Sequence, residues 1–405
     1  MTLPTAAVEQ LSDQILQHYP SGPLRERRVG REIEIPLVDE SGEAAAVAEL
    51  WPALAALPGS TVVRDADPER GVGVPRPYGL VSVEFGRGVV EVALNPAPDL
   101  GSLERAAETA LAELRAAAAP SGARLLGLGM QPLAPTAVDQ MTPKRRYLKL
   151  LDQIGPAALC WTGTAADQIH VDVAREELLA ALNVVNGLAG ALIALAANSP
   201  LRDGRPAPVQ AVREHLAGGV FPQPHRWGAT PRRFASLEEY VAYVLSYSPI
   251  EEPAPGLDDW TRFVELDHVV WPNGRAVFRF GTVEVRPACQ QPFDSFWAAS
   301  AFGLGLIANA AEADAWLAES AEWDQLLAYR ERAIAAGLGA EEPFPDFLRR
   351  TLELAEAGLR GRGAGEEAHL ADAWERLERR RSPADEALEI FNREGIGGLV
   401  RARGI

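Results

Sequence analysis

Four stretches of this chain alternate apolar and charged residues with a period of two, the spacing of a strand with one buried face. In GREIEI, Glu32 and Glu34 share one face while Ile33 and Ile35 take the other. In QIHVDV, Gln168, His170 and Asp172 lie opposite Ile169, Val171 and Val173. In TVEVRP, Glu284 and Arg286 lie opposite Val283 and Val285. The fourth stretch, LVSVEFGRGVVEVAL, reads as a hairpin turning at Arg87-Gly88, which sets Gly86 against Val89, Phe85 against Val90 and Glu84 against Glu91. Like charges directly opposed across a sheet repel. A divalent cation between them is one candidate for the compensation.

The rest of the pattern frames these strands. Residues 5–19 predict a short amphipathic helix, and a β-rich stretch follows from about Arg28 to Leu94. Glu104 to Ala118 is an alanine-rich helix with Asp99 and Ser102 as candidate caps. Residues 123–130 predict a buried strand, 131–144 a proline-containing loop, and 168–173 another strand. A long helix is expected from Arg175 to about Asn198, ended by Ser199-Pro200. Residues 202–235 are loop-rich, 278–287 predict a strand, and the chain beyond Phe296 reads as helix with a glycine-rich break at 357–367. The order predicts an α+β fold: a catalytic core over residues 1–300, and a helical C-terminal region over 301–405 packed on it as one integrated unit.

Composition narrows the function classes. With 47% hydrophobic residues in 405, a large core in one or two domains can form. The formal net charge of −17 argues against a nucleic-acid-gripping protein, which needs clustered cations. The N-terminus lacks the basic start and apolar stretch of a signal peptide, and the most apolar run, Leu188 to Ala197, suits a buried helix better than a membrane span. Two cysteines, Cys160 and Cys289, allow no disulfide framework, and a cytoplasmic location is expected. The sequence does not give the oligomeric state.

The acidic strand faces suit hard cations such as magnesium, which take oxygen ligands and hold phosphates as well. Taken singly, each glutamate also suits a solvated strand face and His170 a structural histidine. Candidate cations for a transferred phosphoryl group are Arg286, Arg275, Arg213 and the TPKRRY loop with Lys144, Arg145 and Arg146. For the loop, an ordinary basic surface turn is the alternative, and Arg286 also suits simple neutralisation of Glu284. There is no GxxxxGK[ST], no dinucleotide-type glycine loop, no GxSxG and no HExxH.

These segments together resemble the glutamate–cysteine ligase family, in the branch shared by plants and many bacteria. GREIE is similar to the family's opening GxExE, MTPKRRY to its MPKxRY loop, GTAADQIHVDV to its RTxTxQVNLDF strand and LAANSPLRDGRP to its LFANSPFxxGKP segment. SVEFGRGVVEVALNPAP, LLGLGMQP and RRSPADEAL resemble further pieces in the family's order. The resemblance implies an antiparallel sheet wrapped into a bowl or partial barrel, related to glutamine synthetase. It also implies use of ATP and Mg2+ to make γ-glutamyl phosphate, which the amine of cysteine attacks. Carried over by position, it makes Glu32, Glu34, Glu84, Glu91, His170 and Glu284 metal ligands, with Glu284 and Arg286 at the transferred phosphoryl group. Lys144, Arg146 and Arg275 would hold the nucleotide, and Arg213 and Gln168 the amino-acid substrate. The sequence departs from the family after Ala211-Val212-Arg213, where Glu214-His215 stands in place of a tryptophan, and in the stretch before Arg286. The alternatives are another amine acceptor, or a non-catalytic binding protein on the same fold.

Overall fold

The structure is a computed structural model, and it describes residues 4–65, 70–133, 135–250 and 256–405. Residues 1–3, residues 66–69 of the β-rich stretch and residue 134 of the 131–144 loop lie outside the described residues. An antiparallel sheet of nine strands organises the fold. In chain order they are β1 (Val29–Val38), β2 (Val63–Arg64), β3 (Gly71–Arg76), β4 (Gly79–Val83), β5 (Val89–Ala97), β6 (Arg124–Leu125), β7 (Asp167–Asp172), β8 (Gly274–Val277) and β9 (Thr282–Val285). Their order across the sheet is β8-β9-β7-β1-β5-β4-β3-β2, with β6 pairing the far end of β1. The long strand β1 is central: β5 runs along one edge, and β7 then β6 share the other.

The period-two reading of the faces holds. Ile33, Ile35, Ile169, Val171, Val283 and Val285 are buried in one apolar core. Removing such area from water is the main driving force for docking the helices on that face. The helix Leu100–Ala118 presents Leu103, Ala107, Ala110 and Leu114 to that core, and its first turn is closed by the Asp99 carboxylate, which accepts from the Ser102 N–H at 2.6 Å. Helix Ala298–Ala308 packs on β7 and β9. One polar feature interrupts the apolar face. Arg31 pairs with Asp167 at 2.8 Å, both side chains fully buried, and the guanidinium lies between the rings of Phe296 and Trp297 at 4.0 and 4.2 Å.

Several expectations need correction. The hairpin is formed, but its register differs: Val83 lies opposite Val90 and Ser82 opposite Glu91, with residues 84–88 forming a longer turn. The turn is held from outside the hairpin, by Leu37 N–H to Gly88 O, Arg87 N–H to Gln140 O and Thr142 N–H to Phe85 O. Of the predicted strand 123–130 only Arg124–Leu125 forms a strand; the remainder is buried but bonds piecemeal to Arg403, Asn198 and Ala165. The expected long helix is two, Leu178–Gly187 and Ala189–Ala196, bent by 50°. The bend lets the helix Trp323–Ala336 approach so closely that a Cβ on Gly190 would stand 3.0 Å from the Arg330 backbone. The strand expected over 278–287 is shorter, because 278–281 turn back to β8, which the sequence reading missed. Within the loop-rich 202–235 stretch lies one helix, Val212–Gly218. Helix Phe347–Arg362 runs into the predicted glycine-rich break, which narrows to Gly363 and Gly365, both at positive φ. Among the described residues no single helix is long and apolar enough to cross a membrane.

Candidate active site

The polar face of the sheet forms the floor of a cleft of about 380 Å³. All twelve residues singled out by sequence line it. Glu32 and Glu34 come from β1, Gln168 and His170 from β7, Glu91 from β5 and Glu84 from the β4–β5 turn. Glu284 and Arg286 come from β9 and its end, and Arg275 from β8. Lys144 and Arg146 open the helix Arg145–Ile154, and Arg213 opens Val212–Gly218. Arg145, the remaining cation named from the TPKRRY loop, does not line the cleft; its backbone N–H donates to the Asp65 carboxylate at 2.6 Å.

The acids and the histidine fall into two groups. In the first are Glu32, His170 and Glu284, and in the second Glu34, Glu84 and Glu91; one ligand atom of each member lies within 4.8 Å of the others in its group. The strand geometry explains the pairing. Glu34 lies directly opposite Glu91, and Glu284 directly opposite His170. Glu32 and Glu34 are two residues apart on one face, so the groups sit side by side, separated by about 7 Å along β1. The opposed like charges are therefore Glu34 and Glu91, with Glu84 joining them from the turn. A two-residue slip keeps a side chain on its face, which is why Glu84 still reaches the group.

Electrostatics separates the two groups. Burial and then the charge of Glu84 push Glu34 up to about 7. Burial, Glu84 and Glu32 likewise hold Glu91 well above the usual carboxylate range. Glu34 keeps an anchored carboxylate even so, accepting from Ala166 N–H at 2.6 Å and Gln168 Nε2 at 3.0 Å. In the first group, burial works to raise Glu284, but Arg286, His170 and Arg275 outweigh it and bring it down to about 2. Arg286 hydrogen-bonds Glu284 directly, and Arg275 lies 3.8 Å from it on the other side. Burial works to lower His170, yet the hydrogen bond and charge of Glu32 and the charge of Glu284 raise it. Its Nε2 faces Glu32 at 3.2 Å and Glu284 at 3.9 Å, while Nδ1 meets the Thr282 hydroxyl at 3.4 Å. The two carboxylates thus draw positive charge toward the space between them.

Both donor sets fit hard divalent cations. Five carboxylates and one imidazole converge in a pair of triads, and the second triad brings three carboxylates together against burial and mutual repulsion. The Thr282 contact leaves Nε2 of His170 as the ligating nitrogen, the kind of outer support that orients metal-binding histidines. His268, also in the cleft, is pushed down to about 4 by burial and then by Arg275 and Arg146, so these two cations act at one place.

Sequence reasoning missed the supports of this site. Arg213 donates to Glu214 at 2.7 Å, and the other Glu214 oxygen accepts from Arg330 and from Asn273 Nδ2 at 3.3 Å. Asn273 also accepts from Arg330 Nε at 2.8 Å, and its carbonyl accepts from the Arg286 N–H at 2.9 Å. One buried network, anchored by the helix Trp323–Ala336, thus holds the Arg213 side chain and the backbone of Arg286. Its only signal in the sequence was the departure at Glu214-His215. Also missed were Trp161, Trp227 and Trp271, which wall one part of the cleft and come from three distant segments.

The architecture recurs in two solved structures. It superimposes on the glutamate–cysteine ligase of Francisella tularensis solved in complex with AMP, with a TM-score of 0.57 and 12% identity over 95% of this chain and 89% of that one. A bifunctional glutathione synthetase from Pasteurella multocida gives a TM-score of 0.56 at 13% identity, with 98% of this chain spanning about half, 52%, of that protein. Residues 28–402 match glutamate-cysteine ligase family 2, and the chain belongs to that family. Among its relatives, one named "Putative glutamate--cysteine ligase 2-3" from Rubrobacter xylanophilus is 30% identical over 336 residues, 79% of this chain and 84% of that protein. The chloroplastic glutamate–cysteine ligase of Medicago truncatula is 25% identical over 79% of this chain and 69% of its own length. Glutamate–cysteine ligase EgtA of Mycobacterium tuberculosis is 31% identical over 53% of this chain and 46% of its own. The α+β fold with its antiparallel sheet, the enzyme class and the small-molecule character of the substrates follow from this membership.

Proposed function

We propose that the protein uses ATP to activate the γ-carboxylate of glutamate and joins it to the amine of an amino acid, through γ-glutamyl phosphate. Cysteine is the acceptor that the names of its relatives give. The observation that carries the reading is the pair of cation triads side by side in one cleft with Arg213, Arg275 and Arg286. Phosphoryl transfer depends on positioning and on charge stabilisation, and the cleft supplies both.

Glu32, His170 and Glu284 would hold one magnesium ion, and Glu34, Glu84 and Glu91 a second. Bound there, magnesium neutralises phosphate oxygens and polarises the transferred group. Arg213, pinned by Glu214, receives the anionic part of glutamate, and Gln168 fixes the carboxylate of Glu34. The substrate γ-carboxylate oxygen attacks the γ-phosphorus of ATP, and ADP leaves. Arg286, held by Glu284 and by the carbonyl of Asn273, stands where charge develops on the transferred phosphoryl group. Lys144, Arg146 and Arg275 hold the remaining phosphates. The neutral amine then attacks the acyl carbon, and inorganic phosphate leaves.

The test is mass spectrometry of a reaction containing ATP, magnesium, glutamate and mixed amino acids. A γ-glutamyl product with one ADP and one phosphate released per bond supports the proposal. ATP hydrolysis that does not depend on glutamate contradicts it.

A further inference from the structure

Aromatic residues stand at both ends of the cleft, and the two ends differ in kind. At one is Phe280, in the turn between β8 and β9, 62% exposed and edge-on to the His170 ring at 6.5 Å. At the other, Trp161, Trp227 and Trp271 face one another with ring centroids 5.9 to 6.0 Å apart. Phe221 backs them, stacked on Trp271 at 5.4 Å. Phe85 ties them to the Glu84 turn, edge-on to Trp161 at 5.6 Å. Trp271 precedes β8 and Phe280 follows it, so the length of that strand separates the two ends.

The tryptophan end has unused hydrogen-bonding capacity. The indole N–H groups of Trp161 and Trp227 are shielded from solvent and have no acceptor among the described residues. Buried indoles ordinarily find one. Arg286 lies over the Trp227 ring at 5.6 Å, and Arg213 lines the same cleft.

We infer that the tryptophan end is the subsite of the amine acceptor, and that the acceptor is an α-amino acid with an apolar or aromatic side chain larger than that of cysteine. This rests on the ligase reading above. Four physical points support it. An acyl phosphate must be kept from water, and the walled end does this where the exposed Phe280 does not. A nucleobase needs only a face to stack on, which Phe280 offers at the cleft mouth beside His170. The two free N–H donors suit the acceptor's carboxylate and disfavour a cationic side chain. The remaining surface is apolar, and each aromatic side chain can bury about 150–250 Å², far more than a CH2–SH group can cover. A thiol also sits well against indole edges, so cysteine is the decisive competitor.

The experiment holds ATP, magnesium and glutamate fixed and compares cysteine, alanine, lysine, leucine, methionine and phenylalanine by ADP release and product mass. The expected result is kcat/KM for leucine, methionine or phenylalanine above that for cysteine by roughly 10-fold or more, the scale set by one methylene in an apolar pocket. Cysteine, alanine or lysine as the fastest acceptor overturns the acceptor class and leaves the ligase reading standing. No ADP release with any of them, with glutamate present, overturns the ligase reading and this inference together. Two variants locate the subsite. Trp161→Phe keeps a ring and removes one N–H, and it raises the acceptor KM with the ATP KM unmoved. Phe280→Ala raises the ATP KM with the acceptor KM unmoved. The reverse pattern would put the nucleobase among the tryptophans and overturn the assignment.

Discussion

Glu91 and Glu284 are both buried strand glutamates lining one cleft, yet their surroundings give opposite consequences for the same substitution. Burial and Glu84 favour the protonated form of Glu91, so a neutral glutamine resembles its state without metal. Glu91→Gln should leave the thermal stability of the metal-free protein unchanged or raised, and remove magnesium binding in a calorimetric titration. Glu284 is ionised at neutral pH and is contacted by Arg286, Arg275 and His170. Glu284→Gln leaves Arg286 without its counter-charge and should cost about 3–5 kcal/mol, the usual cost of breaking a buried pair from one side. Equal denaturation midpoints for the two variants would refute this contrast. The pH dependence follows from the same shifts. Glu34 has a folded pKa of about 7 against an ordinary 4.5. Between those values the folded, metal-free protein binds more protons than the unfolded chain, so this group's contribution makes stability fall as pH rises. Glu284 acts the other way and lower, its contribution present above 4.5 and lost as pH falls toward about 2. Magnesium has to displace the Glu34 proton, so its affinity should rise from pH 6 to pH 8 with proton release on binding. Calorimetry in buffers of different ionisation enthalpy measures both, and affinity unchanged across that range would contradict the Glu34–Glu84–Glu91 site.

At the scale of elements, the β4–β5 turn decides whether Glu84 joins that site. Gly86 in this turn lies against the backbone of the segment carrying Trp161: a Cβ there would stand 1.8 Å from the Thr162 carbonyl oxygen. No side-chain rotation relieves a clash with backbone, so Gly86→Ala must move the turn. Overpacking of this kind typically costs about 1–3 kcal/mol. The expected outcome is a lower melting temperature together with weakened magnesium binding, read by thermal denaturation with and without the ion. Wild-type values for both would show that the turn tolerates the change. The same turn marks the limit of what the sequence discloses. Period-two alternation showed which residues of β1, β7 and β9 share a face, because that follows from backbone geometry alone. It could not set the β4–β5 register, since residues 84–88 are pinned by Leu37, Gln140 and Thr142, which are remote in sequence. The bend between Gly187 and Ala189 was hidden for a similar reason: Leu317 and Trp323, remote in sequence, crowd Gly187 where the two helices meet. β8 was missed because Pro272 and Gly274 obscure its short apolar pattern. The tryptophan wall has no period at all, being assembled from positions 161, 227 and 271.

For the whole molecule, the question raised by the sequence is whether residues 301–405 are an appendage or part of the core. The contacts favour the second. The last residue pairs with the sheet, Ile405 N–H donating to Leu125 O at 2.9 Å and its carbonyl accepting in return at 3.2 Å. Arg376 reaches Leu195 O at 3.1 Å and Gln291 at 2.8 Å, both inside the first 300 residues. Glu366 accepts from the N–H of Leu100, at the start of the helix behind β5, at 2.9 Å. Arg330 completes the network that pins Arg213 and Arg286 at the cleft. Beneath these bonds one apolar core joins Val171 and Val285 of the sheet to Phe302, Leu352 and Leu359 of the helices. We propose that the two regions fold only together. Cutting the chain after residue 300 would expose much of that core and remove one partner each from Glu214, Gln291 and Leu125. Native proteins are stable by only about 5–15 kcal/mol, and several buried networks lost at once exceed that. Residues 1–300 expressed alone should therefore show no cooperative thermal transition, whereas co-expressed with 301–405 as a separate chain they should copurify and melt cooperatively. A sharp melting transition from 1–300 alone, seen by circular dichroism, would establish the helical region as a separate domain and remove its claim to position the cleft arginines.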